Sequence, residues 1–80
     1  MNTNKAVATR IKFLLEKKGI TQYRLAMDSG VTHSTLKNIM HETVTDNHLS
    51  TIIQLAAGFG MKVSEFLDDP LFDEDNIKFK

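Results

Sequence analysis

Five polar side chains, His33, Ser34, Thr35, Lys37 and Asn38, crowd one short stretch of this 80-residue chain, interleaved with the apolar residues Leu36, Ile39 and Met40. At about 100° per residue on a helix, the three apolar residues point one way. Ser34, Asn38 and His41 then lie near the opposite centre, with His33, Thr35 and Lys37 on its flanks. Such side chains suit the edges of base pairs. Asn38 can donate and accept together, as adenine requires, Lys37 suits guanine acceptors or a phosphate, and the hydroxyls of Ser34 and Thr35 bond either a base or a backbone oxygen. Sequence specificity is expected to rest on His33, Ser34 and Asn38. Taken alone, the same residues describe an ordinary solvated helix face, so the surrounding elements decide between the two readings.

Those elements read as TQYRLAMDSGVTHSTLKNIM, Thr21 to Met40, two short helices joined by a tight turn. Leu25 and Ala26 belong on the inner side of the first helix, where the small Ala26 lets the second cross closely. Gly30 supplies the left-handed turn that a residue with a Cβ resists, and Thr32 offers a hydroxyl to cap the second helix. Val31, Leu36 and Ile39 close the core beneath it. This is a helix-turn-helix pattern over residues 21–40. Thr21, Tyr23 and Arg24 sit at the start of its first helix, where free N–H groups and short polar side chains favour a phosphate.

The rest of the chain is also helical in period. Val7, Ile11, Leu14 and Leu15 define a first helix from about Asn4 to Lys18, stopped by Gly19, and the second helix ends near Ser29. The third runs from Thr32 to about His41. A fourth runs from about His48 to Phe59 with Leu49, Ile52, Ile53, Ala56 and Phe59 on one face, closed by Gly58 and Gly60. Val63, Phe66 and Leu67 predict a short fifth helix capped by Ser64, before Asp68, Asp69 and Pro70 break the pattern. The tail LFDEDNIKFK fits a short strand, a packed coil or a disordered end. The expected organisation is an all-α domain over residues 1–69 and a tail over 70–80.

Composition bounds the function. Eighty residues support one modest core, and no apolar run approaches the roughly 20 residues that cross a bilayer. Cysteine is absent, the N-terminus lacks the apolar stretch of a secretory signal, and the cytoplasm is the expected compartment. His33, His41 and His48 match no metal-site spacing, and no carboxylate constellation accompanies them, so neither an enzyme nor a cofactor or metal is expected. The net charge is zero, but its halves differ. Residues 1–40 hold seven Lys and Arg against two acidic residues, a balance of +5, and residues 41–80 hold three against eight, a balance of −5. A basic working face with an acidic end turned away is the expected arrangement.

From Arg10 to Leu67 the chain resembles the lambda-repressor-like, Cro-type helix-turn-helix family, also called the XRE family. The resemblance rests on RIKFLLEKKGITQ, LAMDSGVTHSTLKNI and LSTIIQLAAGFGMKVSEFL in that order and spacing. It implies a compact five-helix DNA-binding domain whose third helix enters the major groove of double-stranded DNA, usually as a homodimer on a two-fold-related site; phage repressors of this kind are standard docking examples. The function implied is a transcriptional regulator, a repressor by the family's usual role. The matching glutamine, Gln22, would bond a phosphate and brace the third helix, and Thr43, Thr45 and Asn47 in the loop HETVTDN would contact the other strand.

Two departures from the family follow. The loop carries Glu42 and Asp46 where relatives are often basic, with glycine and proline, and it reads one residue longer. Relatives also pair an arginine late in the first helix with a glutamate ending the third, where this chain has Leu15 and Met40. Replacing both partners of an ion pair by apolar groups is physically coherent, so Leu15 and Met40 are expected to touch. Phe13 stands on a face where relatives carry charge. Tail residues Leu71, Phe72, Ile77 or Phe79, or a dimer surface, would cover it, and a singly exposed Phe is the alternative. Protonation of His33 and His41 beside DNA would raise affinity as pH falls. The competing function is a protein-interaction module, an antitoxin or adaptor on the same fold, meeting a protein partner through its acidic half.

Overall fold

Local side chains set most of the helix boundaries. Asn2 Oδ1 accepts from the Lys5 amide at 2.7 Å, Thr21 Oγ1 from Arg24 at 3.1 Å and Thr32 Oγ1 from Thr35 at 3.1 Å, each satisfying an amide that the first helical turn leaves open. In the computed structural model, which describes residues 1–43 and 47–78, these caps open α1 (Thr3–Lys18), α2 (Gln22–Ser29) and α3 (His33–Met40). After them come α4 (Leu49–Gly58), α5 (Val63–Leu67) and a 3₁₀ turn (Pro70–Phe72). The described residues contain no strand. Thr45, Asp46 and Phe79 lie outside them.

Ser64 does not cap α5. The helix begins two residues earlier than that cap would set, at Val63 with Lys62 as N-cap, and the Lys62 amide donates to Glu65 Oε1 at 2.9 Å. Packing explains the shift, because Phe66 must be fully enclosed and Val63 packs against the same core. The fourth helix closes at Gly58, with Gly60 left-handed just beyond it, as expected, and Gly58 has a second role: a Cβ there would meet Ser29 Cβ at 2.7 Å and the Ser29 backbone at 3.0 Å. That role is close approach to α2. The α4 face also differs from the expected stripe. Ile52, Leu55, Ala56 and Phe59 are buried, while Leu49 and Ile53 lie outward at 64% and 45% exposure, because α4 turns its Leu55 side toward the core.

The core joins all five helices. Ile11, Leu25, Leu36, Ile39, Leu55 and Phe66 are essentially inaccessible to solvent, each worth about 2 kcal/mol of burial. Phe66 links two further rings, with Phe59 at 6.5 Å and Phe72 at 6.1 Å between centroids. Over its described part the tail is the 3₁₀ turn followed by further turns, anchored at a few points. Phe72 is half-buried against Phe66, the Met1 ammonium donates to Asn76 O at 3.0 Å, and the Lys78 amide donates to Met1 O at 2.8 Å.

Arg10 departs from its expected place on a basic face. It is 7% exposed, and its guanidinium donates from Nε to Phe66 O at 2.8 Å, from Nη2 to Glu65 O at 3.0 Å and from Nη1 to Asp69 Oδ2 at 3.2 Å. One side chain thereby satisfies the Phe66 carbonyl at the end of α5, shares the Glu65 carbonyl with the Asp68 amide, and pairs with the acidic residue beyond. Phe13 stays 51% exposed, with Arg10 and Lys17 cations 5.9 and 5.8 Å from its ring centre, while Phe72 packs on Phe66 instead. Leu15 is buried and Met40 half-buried against the core, and both line one cleft between α1 and α3.

Candidate nucleic-acid interface

Two buried residues, Leu36 and Ile39, fix the rotation of α3 about its axis. With them inside, His33, Ser34, Thr35, Lys37 and Asn38 are all exposed, as is His41 just beyond the helix. The turn before α3 is held by more than glycine. Gly30 adopts φ 75° and donates its amide to Ala26 O at 3.1 Å, while Ser29 Oγ donates to Ala26 O at 3.3 Å and accepts from the Val31 amide at 3.1 Å. At the start of α3 the Thr32 hydroxyl also bonds that of Thr35 at 2.8 Å, so Thr35 takes part in the cap.

The residues expected at phosphate fall into three settings. Thr21, Tyr23 and Arg24 are exposed at the start of α2. The Tyr23 ring meets His33 edge to face at 6.3 Å, tying that end to the first residue of α3. Arg24 Nε bonds Asp28 Oδ2 at 2.9 Å along the same helix, and with both groups well exposed the pair is worth about 0.5 kcal/mol, little enough to exchange for another anion. Gln22 is half-buried and shares a cleft with Lys12, Met40 and His41, beside the far end of α3.

The loop residues are already engaged. The Thr43 amide and hydroxyl both donate to Asn38 O, at 3.0 and 3.2 Å, closing the end of α3. Asn47 is half-buried, with Nδ2 donating to Asn4 Oδ1 at 2.8 Å, which braces the return to α4 against α1. The surface therefore brings Tyr23 to His33 and Gln22 to Met40 and His41, while Thr43 and Asn47 serve the frame. Two features escaped the sequence reading. Arg10 lies three residues after Val7 and four before Leu14, so its place on the apolar stripe was visible in the spacing although its charge suggested a surface. Glu42, at φ 59°, is left-handed without being glycine, a conformation that its residue type does not announce.

No helix among the described residues is long and apolar enough to cross a membrane, and none of those residues form a group of three or more potential metal ligands. The family model for Cro/C1-type HTH DNA-binding domains matches residues 10–70. The chain is 32% identical over 65 residues to the HTH-type transcriptional regulator PuuR of Escherichia coli (strain K12) and, at the same identity and length, to that of Shigella flexneri. These matches take in 81% of this chain but 35% of each regulator, so the chain spans about a third of the length of the curated relatives it matches. No solved structure gives a significant match.

Proposed function

We propose, from the premise that this chain belongs to the family of Cro/C1-type HTH DNA-binding domains, that its DNA binding is sequence-specific and represses transcription, with α3 in the major groove. Residues 1–69 form the binding domain and residues 70–80 a tail. The observation that carries the reading is the rigid presentation of α3: Leu36 and Ile39 lock its inner side, and every polar residue suited to base edges faces solvent. His33, Ser34, Thr35, Lys37 and Asn38 read bases in this proposal. Thr21, Gln22, Tyr23 and Arg24 hold phosphate at the start of α2, and Thr43, Thr45 and Asn47 do so from the loop. A second copy on a two-fold-related site supplies much of the affinity, and the cytoplasm is the compartment. The family acts by binding DNA, so no reaction is proposed.

One feature favours a second reading as a protein-interaction module. Arg10 is consumed inside the fold and Arg24 is paired, which leaves less free positive charge than the basic half suggested. Selection of bound fragments from a random duplex pool, followed by titration at several salt concentrations, separates the two. A recovered sequence whose binding weakens steeply with salt and disappears in Gln22→Ala/Asn38→Ala supports the regulator. No shift at low salt alongside tight binding of a protein supports the module.

A further inference from the structure

Among the described residues four helices end by turning the backbone into the left-handed region, at Gly19 (φ 66°), Gly30 (75°), Glu42 (59°) and Gly60 (74°). Glu42 is the one residue with a side chain among them. Its turn is hydrogen-bonded in the same way as those ending α1 and α4. The Glu42 amide donates to Ile39 O at 3.1 Å and Thr43 to Asn38 O at 3.0 Å, matching Gly19 to Glu16 O at 3.3 Å with Ile20 to Leu15 O at 3.1 Å, and Gly60 to Ala57 O with Met61 to Ala56 O, both at 2.9 Å. Glycine would meet this geometry without the clash that a Cβ suffers there. The carboxylate adds a second cost, because it sits at the negative end of the α3 dipole. Neither ion pair found among the described residues, Arg10–Asp69 or Arg24–Asp28, involves it. The backbone of an exposed acidic residue is thus turned four residues beyond Asn38 into a conformation that costs a residue with a side chain free energy.

Resting on the reading that α3 enters the major groove, we infer that Glu42 is a specificity-determining residue: its carboxylate accepts a hydrogen bond from an exocyclic amino group, cytosine N4 or adenine N6, at the half-site position nearest the end of α3. The chemistry of the groove leaves few alternatives. Phosphates repel a carboxylate, guanine N7 and O6 and thymine O4 are acceptors that cannot bond it, and the amino groups are the donors that the major-groove edge offers. A base bearing an amino group there relieves the repulsion, and a base presenting only acceptors adds to it. Discrimination comes as much from penalising the wrong base as from rewarding the right one.

The test uses the full chain and the duplex recovered from the random pool, varied one base pair at a time, with wild type, Glu42→Gln and Glu42→Gly compared. At one half-site position the wild type is expected to prefer cytosine or adenine over guanine or thymine by about tenfold, and Glu42→Gly to flatten that preference to about twofold or less. Glu42→Gln, whose amide both donates and accepts, should shift it toward adenine. Preference for cytosine in the wild type identifies N4 as the donor, and preference for adenine identifies N6. Glu42→Gly removes a Cβ from a left-handed residue and should melt no lower than the wild type, so altered selectivity is not unfolding. A Glu42→Gly profile matching the wild type at every position, including one uniformly tighter, overturns the inference while leaving the groove reading intact. Recovery of no sequence by the wild type overturns both.

Discussion

The two ends of α3 solve the same backbone problem with different materials. At its start the chain turns through Gly30, Ser29 Oγ serves two backbone groups, the Thr32 hydroxyl caps the helix, and Tyr23 packs against His33. At its end the chain turns through Glu42, left-handed without being glycine, and Thr43 spends both amide and hydroxyl on Asn38 O. The start is therefore relaxed and the end is under load. A helix set this way is rigid where His33 and Ser34 begin it, and its far end keeps a side chain that structural economy alone would have replaced with glycine. Stability and selectivity should consequently respond in opposite senses to changes at the two ends.

Gly58→Ala should give the largest effect. The added Cβ would press on Ser29, the residue that builds the turn into α3, at 2.7 Å from its Cβ and 3.0 Å from its backbone. Backbone cannot yield as a flexible side chain would, so the cost should be about 2 kcal/mol even though alanine favours helix. Urea denaturation measures it. Because the damage falls on the α2–α3 turn, DNA affinity should fall with stability; an unchanged midpoint would show that the two helices have slack, and that the start of α3 is less rigid than its contacts indicate.

The parts of the fold legible in sequence are those set by neighbours in the chain. Thr21 and Thr32 cap helices because a short side chain three residues before an open amide needs nothing else, and the outward face of α3 follows from the spacing of Leu36 and Ile39; Asn2 caps α1 in the same way, just ahead of the start expected at about Asn4. What depends on distant chain is not legible locally. Gly58 ends α4 as its residue type suggests, but the approach of Ser29 that also requires glycine there is set by α2 and is invisible in the local spacing. Arg10 looked like surface charge until the end of α5, 55 and 56 residues away, came to rest on it. Ser64 looked like a cap because its type suits one, but Phe66 dictated where α5 begins. The outward polar residues of α3 were visible as a group; which base each meets is a property of DNA and of a register that no spacing encodes.

A matched pair of substitutions sharpens the contrast between the two ends. Thr32→Ala removes the cap of α3 together with the hydroxyl bonded to Thr35, and should cost about 1 kcal/mol. Glu42→Gly relieves a left-handed Cβ and a carboxylate at the negative end of the helix, and should gain about 1 kcal/mol. For a domain of this size each change moves the melting temperature by roughly 4–8 °C, in opposite directions, which calorimetry resolves readily. If both lower it, the left-handed Glu42 is supported by contacts of its side chain, and the end of α3 is not under load.

Protonation offers the smallest and most local probe, because a histidine stands at each end of α3. His33 begins the helix beside Tyr23, and His41 follows its last residue beside the cleft lined by Gln22 and Lys12. DNA affinity at fixed salt is expected to rise as pH falls from 8 to 6, because positive charge added beside a phosphate strengthens binding. The two ends need not contribute equally. At the far end the Glu42 carboxylate lies next in sequence to His41 and weakens the local attraction for phosphate, whereas His33 has no acidic residue within four positions on either side. His33→Gln should therefore remove more of the pH dependence than His41→Gln, and Glu42→Gln should restore part of what His41 lacks. Equal slopes for the two histidine variants in binding titrations from pH 8 to 6 would place both ends at the same distance from the DNA backbone, and would remove the electrostatic side of the asymmetry between them.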